Sequence, residues 1–211
     1  MIENRMPAIR RDFPFEVETV DPQWIVLKDG TRIAATIWKP KTGKKVPVVV
    51  EMVPYRRRDG TLFRDLDIHP YIAGEGIACC RADLRGSGDS DGLLRDEYLP
   101  REQADACEII AWLVGQPWCN GNVGMTGISW GGFNGLQVAA HRPPALKAII
   151  TLCASDDRYA DDVHYMGGAL LTENEMWSNV MLAINSMPPD PRIVGDRWRD
   201  MWLARLEANH S

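Results

Sequence analysis

Histidine is scarce in this chain: His69, His141, His164 and His210 are the only four among 211 residues. Long apolar runs are missing too. Nothing approaches the roughly 18 apolar residues of a membrane span, so no membrane partner is expected. The opening stretch MIENRMPAIRRDFPF lacks the apolar core of a signal peptide, and a cytoplasmic location is expected. The five cysteines (79, 80, 107, 119 and 153) form no CxxC or Cys/His cluster. That excludes a zinc-finger pattern and favours free thiols. Cys79 and Cys80 are neighbours in a strand-like run, so their side chains point to opposite faces. Basic charge is not in excess: the net charge of -5 argues against a nucleic-acid partner. The arginine trio in YRRRDG (55–60) reads as a solvated loop. A short GSG (86–88) has neither the P-loop lysine nor the longer glycine fingerprint, so no nucleotide is expected. The expected cofactor and metal content is none. There is no internal repeat and no low-complexity tract.

What is there is ordinary globular material, 45% hydrophobic and 25% charged. QWIVLK (23–28) and TRIAATIW (31–38) flank Asp29-Gly30, a hairpin signal. KVPVVVEMV (45–53) is β-branched and apolar throughout, as expected of a strand covered on both faces. A short helix is expected over 68–76, a strand over 77–83 and a polar turn over 84–92. Helical spacing of Ala106, Ile109, Ile110, Leu113 and Val114 marks a helix over 100–116, with Pro100 in its first turn. A strand (122–128), a helix (130–142) and a strand (146–153) follow. Alternating β and α elements call for an α/β fold with a mostly parallel sheet. Beyond 153 the sequence shows no strong β run, several helical stretches and a last amphipathic helix. Trp198 and Trp202, at i and i+4, share one face of it.

GMTGISWGGFNG (124–135) contains Gly-x-Ser-x-Gly centred on Ser129, where a strand gives way to a helix. That is the setting a nucleophile elbow requires. The glycines leave room for a sharp turn that lifts the serine hydroxyl above the strand end and aims helix-start amides at it. The alternative role for Ser129 is a helix N-cap.

MVPYRRRDG, RADLRGSGDSDG, QPWCNGNVGMTGISWGGF and DDRYADDVHYMGG together resemble the cocaine esterase-like and X-Pro dipeptidyl peptidase-like (CocE/NonD) hydrolases of the α/β-hydrolase superfamily. The resemblance covers about residues 15–180. It implies an α/β-hydrolase fold, incomplete in this chain, with 1–153 the N-terminal part of a catalytic domain and 154–211 the start of a helical cap. It implies acyl transfer to water from an ester, an amide or a short peptide. Ser129 matches the nucleophile, the Trp130 backbone N–H one oxyanion donor, and Tyr55 a second donor through its hydroxyl. The acidic stretch 156–162 corresponds to a region that binds a substrate ammonium group in one branch of the family, with Asp161 or Asp162 nearest to it. A solvated loop is the other reading of that stretch.

In this superfamily an acid and then a histidine follow the serine. His69 precedes Ser129. His141 lies twelve residues along the next helix, roughly 18 Å from its start, where capping suits it. His164 falls where the resemblance places the start of the cap, and His210 is at the chain's end. The expectation is therefore that the acid and base are encoded beyond these residues and that this chain alone is inactive. A catalytically inactive remnant or binding scaffold, or a second chain that supplies the missing groups, stays open. So does a homo-oligomer.

Overall fold

The computed structural model describes residues 12–209, so the expectation for His210 lies outside the described residues. Strands β1 (Val17–Val26) and β2 (Arg32–Pro40) form the expected hairpin. Its turn closes where Leu27 N–H donates to the Thr31 carbonyl and Gly30 adopts φ 85°, a value glycine takes without steric cost. Next come β3 (Val46–Val53), helix α1 (Leu62–Gly74), β4 (Ala78–Asp83), α2 (Pro100–Val114), β5 (Cys119–Ile128), α3 (Trp130–Ala140) and β6 (Leu146–Leu152). Six strands form one sheet in the order β1-β2-β4-β3-β5-β6. β1, β2 and β4 pair antiparallel, whereas β4, β3, β5 and β6 run parallel.

Two cores lie on opposite faces. Val48, Val50 and Met52 of β3 join Cys80, Ala106, Ile109, Leu113, Trp130 and Val138 under α2 and α3. Trp38, Cys79 and Ala73 form a smaller cluster under α1. The vicinal cysteines thus divide between the faces, as strand alternation requires. Burial pushes both thiols up to about 12, which keeps them protonated and inert. All five cysteines are free, as expected, and Cys153 is exposed.

α1 begins six residues before the expected start at 68. Its first turns are polar and buried: Asp65 is held by Thr61, Arg64 and Arg81. Charge there hides the apolar period. The arginine trio departs further from expectation, since Arg56 and Arg57 are buried. The solvated-loop reading fails because Arg57 finds Asp21, Asp83, Asp89 and Thr36 around it.

After β6 a two-residue hairpin, β7 (Tyr165–Met166) and β8 (Ala169–Leu170), turns at Gly167-Gly168. Both glycines have positive φ, 56° and 79°, the turn geometry that a glycine pair favours. Helices α4 (Glu173–Asn185), α5 (Pro191–Val194) and α6 (Trp198–Ala208) follow. Trp198 and Trp202 stack at 6.1 Å. α6 is pinned to the body of the fold by Arg205, whose guanidinium donates to the Gly88 and Ser90 carbonyls at 2.9 and 2.8 Å. No helix of the described residues is long and apolar enough to cross a membrane.

Candidate active site

Ser129 stands between β5 and α3 with φ 56° and ψ -115°. A non-glycine residue in that region is strained, at a cost of about 1–3 kcal/mol. The turn is tight on all sides. A Cβ on Gly127 would lie 2.4 Å from the Gly131 carbonyl carbon, and one on Gly132 would lie 2.8 Å from the Leu152 carbonyl oxygen. The Ser129 N–H donates to that same Leu152 oxygen at 2.8 Å, and its carbonyl accepts from the Gly132 and Phe133 amides. Its side chain makes no capping hydrogen bond. The hydroxyl is thus spared for another use.

Tyr55 follows β3 on the loop that the buried Arg57 anchors. Its ring packs edge-on against Trp130 at 6.5 Å and Trp177 at 5.9 Å. Its hydroxyl is buried and makes no hydrogen bond of ordinary geometry. Burial pushes the phenol up to about 12, while the nearby Ser129 hydroxyl and Trp130 backbone N–H pull the other way. The phenol is therefore a neutral donor at any ordinary pH, next to both other groups that the sequence singled out. The structure brings Ser129, Tyr55 and Trp130 together.

Asp161 and Asp162 lie elsewhere. Asp161 is exposed, and Asp162 is buried and paired with Arg158. Arg158 in turn covers the Tyr98 ring at 4.6 Å and the Phe133 ring at 4.9 Å. An open cavity of about 580 Å³ beside Trp130 is walled by Glu97, Arg158, His164, Trp177 and Met181, but by neither aspartate. Glu97 accepts from Trp177 Nε1 at 2.6 Å and sits 3.0 Å from His164 Nε2.

None of the described histidines hydrogen-bonds to Ser129. His164 is held by Asn174 and Glu97. His141 ends α3 and meets Gln103 Oε1 at 2.8 Å. His69 is buried against Trp38, 3.6 Å from Glu51 and 3.7 Å from Asp65. Glu51, Asp65 and His69 could in principle gather around a cation. Arg64 and Arg81 already stand among those carboxylates, however, with Arg64 at 2.7 Å from Glu51 and Arg81 at 3.2 Å from Asp65. Two guanidiniums balance two carboxylates, so the cluster does not fit a metal ion.

Sequence reasoning missed Glu102 and Asn134. Glu102 accepts from Trp130 Nε1 at 2.9 Å and from Asn134 Nδ2 at 2.5 Å. A signal for it existed. Glu102 occupies the i position of the apolar series continued by Ala106, Ile109, Ile110 and Leu113, where a charge is out of place.

A strained serine at a strand-to-helix turn, on a mostly parallel sheet with helices on both faces, defines an α/β-hydrolase. The profile of the X-Pro dipeptidyl-peptidase (S15 family) matches residues 29–210, and the chain belongs to that family. Cocaine esterase of Rhodococcus sp. (strain MB1 Bresler) is 33% identical over 152 residues, which cover 71% of this chain and 26% of the esterase. A putative Xaa-Pro dipeptidyl-peptidase of Bacillus cereus is 28% identical over 176 residues, 66% of this chain and 30% of that protein. Among solved structures, a CocE/NonD family hydrolase from Staphylococcus aureus superposes with a TM-score of 0.67 at 26% identity, over 90% of this chain and 36% of that one. The chain thus spans about a quarter to a third of the length of these relatives.

Proposed function

We propose that this chain carries the nucleophile and oxyanion donors of a serine hydrolase that acts on ester or amide bonds. The supporting observation is the meeting of a strained, uncapped Ser129 with the buried Tyr55 phenol and the Trp130 amide. Ser129 Oγ attacks the carbonyl carbon, and the π pair moves onto oxygen as the new C–O bond forms. The Tyr55 hydroxyl and Trp130 N–H donate to that oxygen. Such donors contribute about 3 kcal/mol each because they are fixed before the charge develops. Collapse of the intermediate expels the alcohol or amine, which takes up a proton, and water repeats the sequence on the acyl-enzyme. The serine proton needs an acceptor. In this reading an acid and a histidine outside the described residues supply it. Residues 1–153 act as the catalytic part, and 154–211 cover it as the start of a cap that shapes substrate choice.

The test is fluorophosphonate labelling and p-nitrophenyl ester hydrolysis by the whole protein. Ser129→Ala should abolish both. Tyr55→Phe should lower kcat by about a hundred-fold or more while leaving KM close to its original value. Residues 1–211 alone should label slowly, for want of a base. Rapid labelling of residues 1–211 would show that one of their own four histidines serves after all. An unlabelled whole protein would favour a scaffold that kept the elbow without chemistry.

A further inference from the structure

The acyl-transfer steps above make no use of the carboxyl group buried beneath the elbow. Glu102 sits in the first turn of α2 and is 6% exposed. Both donors that reach it converge on one oxygen, Oε1: Trp130 Nε1 at 2.9 Å and Asn134 Nδ2 at 2.5 Å. Oε2 is buried and has no hydrogen-bond partner. Trp130 directly follows Ser129, and Asn134 lies at i+4, one turn further along the same helix. Glu102 therefore grips the first turn of α3 at two points through a single atom. The indole is hemmed in further by Tyr98 at 5.0 Å and Tyr55 at 6.5 Å. Any rotation of that turn about its axis would pull the indole off Oε1 and swing the Trp130 amide with it.

We propose that Glu102 is a positioning residue of the acyl-transfer site, fixing the Trp130 side chain and thereby the direction of the Trp130 amide that receives the oxyanion. The inference rests on the reading of Ser129 as nucleophile. What the position needs is an acceptor at Oε1; a charge is not required. A neutral carboxyl keeps both bonds, since its carbonyl oxygen has two lone pairs, and Oε2 is free to carry the proton. Burial favours that neutral form, and the carboxyl is pushed up to about 7. Glutamine at this site would present the same acceptor in the same place, whereas leucine would leave two buried donors unpaired.

The experiment measures kcat and KM for p-nitrophenyl butyrate on the whole protein, alongside hydrogen exchange of the Trp130 indole N–H, assigned by its loss in Trp130→Phe. Glu102→Gln should stay within about two-fold of wild type. Glu102→Leu should lose about ten-fold or more in kcat with KM nearly unchanged, because the contact at stake is made in the transition state. Indole exchange should remain slow in Glu102→Gln and quicken in Glu102→Leu. If Glu102→Leu does not fold, Trp130→Phe decides, since it keeps a ring and deletes only the gripped N–H side. It should lower kcat several-fold, and wild-type kcat in that variant overturns the inference. So does a folded Glu102→Leu with wild-type kcat, or a Glu102→Gln as impaired as the leucine. A whole protein no more active than its Ser129→Ala variant overturns the hydrolase reading and this inference together. One that needs Ser129 but tolerates Glu102→Leu overturns only the inference.

Discussion

A carboxyl group that titrates near neutrality inside a fold leaves a mark on stability that is independent of any catalysis. Glu102 rises from 4.5 to about 7, chiefly through burial, with Asn134, Trp130 and the Tyr98 backbone opposing the rise and the Glu97 charge adding to it. Its folded pKa therefore lies above the unfolded one. The folded state binds the proton more tightly, so this stabilisation is present below the unfolded pKa and is lost as pH climbs through the folded value. The whole effect is about 3 kcal/mol. Urea midpoints measured between pH 4.5 and 7.5 should fall for the wild type and fall less for Glu102→Gln. Equal slopes would mean that folding leaves the pKa of this carboxyl unchanged. Residues of this kind explain what the sequence hid. Ser129 announced itself through flanking glycines, and Tyr55 and Trp130 through motif resemblance. Glu102 is signalled only by a charge at an apolar helical position, which becomes meaningful once Trp130 is seen above it.

Among the elements, the strands were legible and the polar ends of helices were not. β3 reads plainly because both faces are covered, and α2 because its apolar series and Pro100 agree. α1 starts early since its opening turns bury Asp65 against Arg81, and no hydrophobic period reports an ion network. The loop after β3 poses the same problem and has a functional side. Arg57 reaches Asp21, Asp83 and Asp89, while its own N–H donates to Asp83 at 2.8 Å. Ser87 also donates to the Pro54 carbonyl. These contacts tie the Tyr55 loop to the turn after β4, and nothing in the spacing of the sequence pairs Arg57 with Asp83. Arg57→Met keeps the length and removes the charge. Asp89 would then be buried without its cation and Asp83 would keep only Arg81, 3.9 Å away, a loss of about 3–5 kcal/mol. The expected result is a marked drop in the urea midpoint, and in any variant that still folds a lower kcat from a misplaced phenol. A midpoint within error of wild type would show that the loop holds its shape without the network.

Across the molecule, apolar surface is unevenly covered. β6 pairs with β5 on one edge and, among the described residues, with nothing on the other. Ile150 and Leu152 are 63% and 50% exposed, and Ile128, which pairs with Leu152, is 39% exposed. Residues two apart on a strand share a face, and so do directly paired residues on neighbouring strands. These three side chains therefore form one contiguous patch next to an open backbone edge. Such an edge is a template for pairing with another chain, and an uncovered apolar patch adds to the attraction. The net charge of -5 offers little repulsion to oppose it. The polypeptide of residues 1–211 at micromolar concentration should consequently elute from a sizing column ahead of its 23.7 kDa monomer. Ile150→Lys places a charge in the middle of the patch and should return most of the material to monomer, with the urea midpoint changed by less than about 0.5 kcal/mol equivalent because the site is exposed. Monomeric elution of the unaltered polypeptide, with no binding of an apolar dye, would mean that the patch is too small or too well hydrated to drive association. If association persists in Ile150→Lys, the contact lies elsewhere, with Phe63 of α1, 81% exposed, the next residue to replace.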